Sequence, residues 1–224
     1  MLERVLEPEV MDSELEAHEY ATFDNSLVND EFVTRALELA PPNGSVLDVG
    51  TGPGDIAVLF ATRAPALRFL AIDLGEHMLE MARRNVANAG LAGRVEVARL
   101  DAKATGWPAG SFDMVISNSL VHHIPEPEEL FRELLRIARP GAGLFIKDLH
   151  RPSSTSELRA LVDKYAAGCT PYQTQTFLDS LHAALTAEEV TAMLRRAGWD
   201  ELSARRCSDR HWCVERRASV RSSA

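Results

Sequence analysis

Val46-Leu47-Asp48-Val49-Gly50-Thr51-Gly52-Pro53-Gly54 is a short apolar run that ends in an acid and enters three glycines spaced two apart. Glycine has no Cβ to hold a ligand off and tolerates positive φ, so such a turn brings bare backbone against a bound molecule. The following residues, Asp55 to Arg63, read as a helix whose unpaired N-terminal amides face that turn. Strand, glycine turn and helix in this order predict a site for a nucleotide-like cofactor.

The dinucleotide fingerprint is G-x-G-x-x-G, whereas here the third glycine comes one residue early, at Gly54, with Asp55 behind it. An acid at that helix start repels a pyrophosphate and suits a ligand carrying an ammonium or sulfonium charge. The spacing therefore disfavours NAD. Arg68 to Asp73 is a second apolar run capped by an acid, and the Asp73 carboxylate can accept both ribose hydroxyls of an adenosine. Arg94 to Leu100 reads as a third strand, ending at Asp101-Ala102, and Ser111 to Ser119 as a fourth.

Taken in order, these runs resemble the class I S-adenosylmethionine-dependent methyltransferases over Ser45 to Ala218. Within that superfamily, Asn118-Ser119-Leu120-Val121-His122-His123 and Arg139-Pro140-Gly141-Ala142-Gly143 look most like small-molecule methyltransferases related to the ubiquinone/menaquinone-biosynthesis C-methyltransferases. The resemblance implies S-adenosyl-L-methionine as cofactor. It also implies an α/β, doubly wound, Rossmann-like sheet of seven mostly parallel strands with an antiparallel last strand, plus a helical lid.

By the same resemblance Gly50, Thr51, Gly52 and Gly54 form the turn under the methionyl part, and Asp73 takes the ribose. Asp101 and the Ala102 amide meet the adenine edge, and Met78 packs either on the adenine face or in the core. Asp48 supports the turn or the donor ammonium, or is a structural acid. From the residues themselves, Tyr20 and Phe23 are candidate pocket walls on the N-terminal helices; Tyr20 could reach the donor carboxylate, and Phe23 could instead pack in the core.

Methyl transfer from a sulfonium is an in-line displacement, so the protein must mainly align donor and acceptor and exclude water. Asn118 ends the fourth strand, from which the superfamily reaches the acceptor, and it lacks the Pro-Pro-aromatic sequence of enzymes acting on nucleic-acid adenine or protein glutamine. A small-molecule acceptor is expected. His122 and His123 follow closely, and either imidazole could serve as general base, or simply cap and pack. No metal is expected, because Ser117-Asn118 lacks the acid that a metal-assisted catechol mechanism places at this strand end.

The fifth strand, Gly143 to Leu149, runs into His150 and Arg151, and alternation sets Asp148 and His150 on one side. These residues could orient a polar acceptor, with Arg151 forking onto a carboxylate, or could form an ion-pair cluster tying the lid to the sheet. Arg210 and His211 fall at the turn of a closing hairpin, Glu201 to Cys207 and His211 to Arg217, on the ligand-binding rim.

Three segments are expected. Residues 1–40 form a helical cap, two helices around Tyr20 to Asp24. Residues 41–150 and 186–218 form the cofactor-binding domain, with helices Gly75 to Ala89, Pro127 to Ala138 and Thr186 to Ala197. Residues 151–185 form a helical lid, Thr155 to Ala167 and Tyr172 to Leu185, interrupted by the helix breakers Gly168 and Pro171.

The 224 residues are 46% hydrophobic, ordinary for a globular core. Three cysteines without C-x-x-C pairing, an acidic N-terminus unlike a signal peptide and the lack of a run near the roughly 20 apolar residues of a membrane helix predict a reduced, cytoplasmic protein without a membrane span. Net charge is −9, and Met1 to Leu39 alone holds 11 acids against two bases. A basic stripe for nucleic acid is lacking; the arginines from Arg205 to Arg221 read as a solvated face. Oligomeric state is left open.

Overall fold

The computed structural model describes residues 2–10, 12, 19 and 25–219. Five strands, β1 (Gly44–Val49), β2 (Leu67–Asp73), β3 (Val95–Arg99), β4 (Phe112–Asn118) and β5 (Ala138–Leu149), run parallel. A hairpin of β6 (Arg205–Arg206) and β7 (His211–Arg216) completes one seven-stranded sheet in the order β3-β2-β1-β4-β5-β7-β6. β7 is antiparallel to both neighbours, as expected of the last strand.

Helices cover both faces because each strand alternates its apolar side chains. Val46, Phe69, Met114 and Phe145 pack against α1 (Ser26–Leu39) and α2 (Asp55–Arg63), joined by Val86 of α3 (Glu76–Asn88). On the other face Leu47, Val49, Val115 and Leu144 meet α4 (Pro127–Ile137) and α7 (Ala187–Arg196). In α4, Pro127 sits in the first turn, Glu128 and Glu129 suit the positive helix end, and Leu130, Phe131, Leu134 and Ile137 form the buried stripe. Each such side chain contributes roughly 1.5–3 kcal/mol by leaving water. Trp199 is fully buried and donates from Nε1 to the Phe131 carbonyl at 2.8 Å, which fixes the loop after α7 to α4.

Several boundaries differ from the sequence expectation. β5 begins at Ala138, paired with Phe112, but the next pair is Met114 with Gly143, so the intervening residues bulge out of the ladder. β6 keeps only two of its seven expected residues. Leu27, apolar and in the first turn of α1, is nevertheless 79% exposed and falls off the buried stripe of that helix.

The described N-terminal residues 2–10 are not helical, and Tyr20 to Asp24, including Tyr20 and Phe23, lie outside the described residues. In the insertion, α5 (Thr155–Tyr165) and α6 (Pro171–Ala183) stand close to the predicted helices, yet Pro171 opens α6 rather than breaking it. At the first helical position the missing N–H would have had no partner, and Thr170 with Gln173 closes a capping box around it. No helix among the described residues is long and apolar enough to cross a membrane.

Candidate functional site

The strand order reverses at β1, with β2 on one side and β4 on the other, and at such a switch point the loops leaving the strands part to form a crevice. The Gly50 and Thr51 amides both donate to the Ile72 carbonyl at 2.9 Å. Asp73 then laces the loops after β1 and β2 together: Oδ2 accepts from the Gly52 amide and Oδ1 from the Gly75 amide, each at 2.9 Å. Above them lies a cleft of about 310 Å³ whose lining includes Gly50, Gly52, Asp73, Met78, Asp101 and Ala102.

The turn glycines serve different ends. Gly52 has φ +54°, and a Cβ there would meet nothing of the protein within 4 Å, so its bare face opens on the cleft. Gly54 caps α2 instead, where a Cβ would stand 3.0 Å from the Ala82 Cβ of α3. Gly54 is thus a helix-packing residue and not part of the cleft wall.

Thr51 and Asp48 also lie outside the wall. The Thr51 hydroxyl donates to Asp48 Oδ2 at 2.7 Å beneath the turn, and burial, reinforced by the Asp73 charge, pushes the Asp48 carboxyl up to about 7. Its observed contact is therefore with the turn.

The N-terminal segment borders the donor half through residues that sequence reasoning did not single out. Glu9 and Val10 line the cleft, and Glu9 pairs with Lys103, whose Nζ also lies 3.1 Å from Asp101. Asp12 accepts from the Glu76 and His77 amides at 3.0 and 2.9 Å, capping α3 from the far end of the chain. The acid surplus before Leu39 was the available signal, although nothing in the sequence said which acids face inward.

Asn118, His122, His123, Arg210 and His211 form the other half of the cleft, with Phe177 of α6 across from them. Asn118 Oδ1 is buried without a hydrogen-bond partner. The next residue, Ser119, has φ +54°, an unusual conformation for a side-chain-bearing residue, and its amide is held by the Lys147 carbonyl at 2.9 Å. His122 and His123 lie on a single 3₁₀ turn, Val121–His123.

Asp148 does not reach the cleft; it lies beneath that turn, accepting from the Val121 amide at 2.5 Å and placed 2.5 Å from His122 Nδ1. On the other side of the ring, Glu7 Oε1 lies 3.4 Å from His122 Nε2 and 3.1 Å from His123 Nδ1. Burial opposes charge on His122, but Asp148 and Glu7 outweigh it and raise its pKa. Burial and the neighbouring His122 push His123 down to about 3.

Besides Asp148, two more predicted acceptor contacts lie elsewhere. His150 Nδ1 stands 2.9 Å from the Arg151 carbonyl, and Arg151 donates to the Ala184 carbonyl at 2.9 Å and to Glu189 at 2.5 Å. They tie the end of β5 to the return of the insertion, the structural alternative weighed for this cluster. A buried guanidinium takes the nearest carboxylate and carbonyl because an unpaired charge there is costly. Arg210, by contrast, stacks its guanidinium 3.7 Å over the Tyr165 ring of α5. His211 shares a 2.9 Å hydrogen bond with Ser208 Oγ, and burial together with Lys147 and Arg210 pushes its pKa down to about 3.

A methyltransferase-domain family matches residues 46–141. The ubiquinone biosynthesis O-methyltransferase of Xanthomonas euvesicatoria is 31% identical over 168 residues, 75% of this chain and 66% of that protein. The ubiquinone/menaquinone biosynthesis C-methyltransferase of Pseudomonas entomophila is 26% identical over 169 residues, 70% of this chain and 66% of its relative. The chain thus spans 66% of the length of both curated relatives. Among solved structures, an S-adenosylmethionine-dependent methyltransferase of Aquifex aeolicus superposes with TM-score 0.66 at 23% identity, covering 89% of this chain and 96% of the other.

Proposed function

The chain belongs to the S-adenosylmethionine-dependent methyltransferases, and from that premise we propose that it transfers the sulfonium methyl to an O, N or C atom of a small metabolite. The observation that carries this reading is one continuous cleft at the switch point, with the glycine turn and Asp73 at one end and Asn118, His122 and His123 at the other. The residues present fit the cofactor: Gly52 leaves a bare face where a Cβ would enter the cleft, and the orphaned Asn118 Oδ1 awaits a donor. When bound, S-adenosylmethionine supplies an electrophilic methyl group on sulfur.

Asp73 would hold the ribose, Asp101 and the Ala102 amide the adenine edge, and Met78 the adenine face. One of His122 and His123 would activate the acceptor, and the walls would exclude water, which strengthens every polar contact inside. A small acceptor is favoured by the cleft's volume of about 310 Å³ and by relatives named for ubiquinone biosynthesis.

The test is incubation with methyl-deuterated S-adenosylmethionine and a panel of phenolic, amino and enolic metabolites, read by mass spectrometry. One labelled methyl gained by a metabolite is the expected result. Tight binding of donor and demethylated product with no methylated product would favour a non-catalytic donor-binding regulator. Failure to bind either molecule would overturn both readings.

Residues 151–185 act as a lid in this proposal, supported by Tyr172, Gln173 and Phe177 of α6 in the cleft wall. Limited proteolysis is expected to cut the linker around Gly168, between α5 and α6, and to slow at least severalfold when the demethylated donor is added. Equal cleavage with and without it would remove the lid.

A further inference from the structure

We propose that Glu7, His122 and His123 form a divalent-cation site of zinc type in the acceptor half of the cleft, a deepening of the methyl-transfer reading that identifies how the histidines act. Glu7 Oε1 lies 3.4 Å from His122 Nε2 and 3.1 Å from His123 Nδ1, and the three ligand atoms all fall within 4.8 Å of one another. Zinc held at about 2.0–2.1 Å by N and O ligands sets tetrahedral neighbours about 3.3–3.4 Å apart, so the two Glu7 separations already approach those of a coordination shell.

Three further observations point the same way. His123 Nδ1 is buried without a hydrogen-bond partner, despite its closeness to Glu7, so its nitrogen faces the cluster unpaired. The other nitrogen of His122 is occupied by Asp148 at 2.5 Å, which holds the ring with Nε2 toward Glu7; a carboxylate behind a ligand histidine is the usual support of a metal site. Glu7 is kept in place from nearby: the Arg4 guanidinium donates to the His122 and Ile124 carbonyls at 3.2 and 3.0 Å, binding the segment that bears Glu7 to the turn that bears both histidines.

Two imidazoles and a carboxylate leave one tetrahedral position; both histidines line the cleft while Glu7 lines the adjoining cavity beside Pro8 and α6, so the open position is assigned to the histidine side, toward the acceptor. A cation there orients an acceptor hydroxyl and acidifies it. The hydroxyl proton leaves to solvent, the oxygen pair bonds to the methyl carbon, and the carbon–sulfur pair returns to sulfur as the neutral thioether. The sequence expectation of no metal looked for its acid at the end of β4. The structure supplies a carboxylate from residue 7 instead.

The chelator-treated 224-residue chain is titrated with Zn²⁺ against a chromophoric competitor, with binding of the demethylated donor followed in the same samples. One tight equivalent is expected. Glu7→Gln and His123→Gln should each weaken zinc at least tenfold, and Asp148→Asn about 10- to 100-fold, as for other supporting carboxylates. Circular dichroism and retained binding of the demethylated donor identify the variants that fold. Zinc binding no tighter than that of folded Glu7→Gln would overturn the site and leave a hydrogen-bonded Asp148–His122–Glu7 chain. Loss of donor binding in the parent protein would strike the methyl-transfer reading and not the zinc result.

Discussion

Replacing Asp73 by alanine is expected to weaken binding of S-adenosylmethionine and its demethylated product by roughly 30- to 700-fold, or about 2–4 kcal/mol, the value of two charge-assisted hydrogen bonds to the ribose. Part of the loss has a second origin, since Asp73 also accepts from the Gly52 and Gly75 amides and so sets the spacing of the two loops. Asp73→Asn retains one acceptor oxygen and should lose less. The sheet should survive both changes, because Asp73 ends β2 beyond the buried run of that strand. Calorimetric titration with the demethylated product, alongside circular dichroism, is the measurement. An affinity within threefold of the parent in a folded Asp73→Ala protein would remove the ribose from this position.

Asp48→Asn is expected to stabilise the protein at pH 8 by on the order of 2–4 kcal/mol while changing little near pH 4. Burial pushes the Asp48 carboxyl up to about 7, well above the ordinary carboxylate range. The folded protein therefore holds this proton more tightly than the unfolded chain does. Between about pH 4 and pH 7 unfolding releases it, and stability falls as pH rises. The favourable contribution is complete below the pKa of the unfolded carboxyl and gone above pH 7. An asparagine does not titrate, and its oxygen can still accept from the Thr51 hydroxyl. Urea unfolding of both proteins at several pH values isolates the effect, because the other titrating groups are shared. A stability difference that stays flat from pH 4 to pH 8 would refute the buried, proton-holding Asp48. Donor affinity of the same variant separates turn support from contact with the donor ammonium: only the second predicts a large loss.

The parts of the molecule legible in the sequence are those fixed by neighbours along the chain. β1, the glycine turn and α2 follow from a short apolar run, positive-φ glycines and a helix start within twenty residues. Asp73 follows from the end of a parallel strand beside it. Glu7, by contrast, reaches His122 and His123 across more than a hundred residues, and Asp12 finds the α3 amides across 64. Periodicity carries no information about such pairings, because any of the 11 N-terminal acids satisfies the same local pattern. Arg151 was ambiguous for a related reason. Its residue type suits both a substrate carboxylate and Glu189, and only the return path of the insertion, which brings α7 alongside, selects the latter. The bulge before Gly143 was hidden because Arg139-Pro140-Gly141 reads equally as a loop.

The place of β7 in the sheet has a consequence for how the chain assembles during synthesis. Its residues Trp212, Cys213 and Val214 are buried, and it fills the gap between β5 and the two-residue edge strand β6. Until β7 has left the ribosome, the amides and carbonyls along one side of β5 have no partner, and an open strand of that length is a template for pairing with another chain. The five parallel strands can gather earlier, but the sheet stays unfinished until the last of its strands arrives. Between the synthesis of Leu149 and that of Arg216 the nascent protein therefore presents an open strand edge to other chains, and gives a chaperone something to hold.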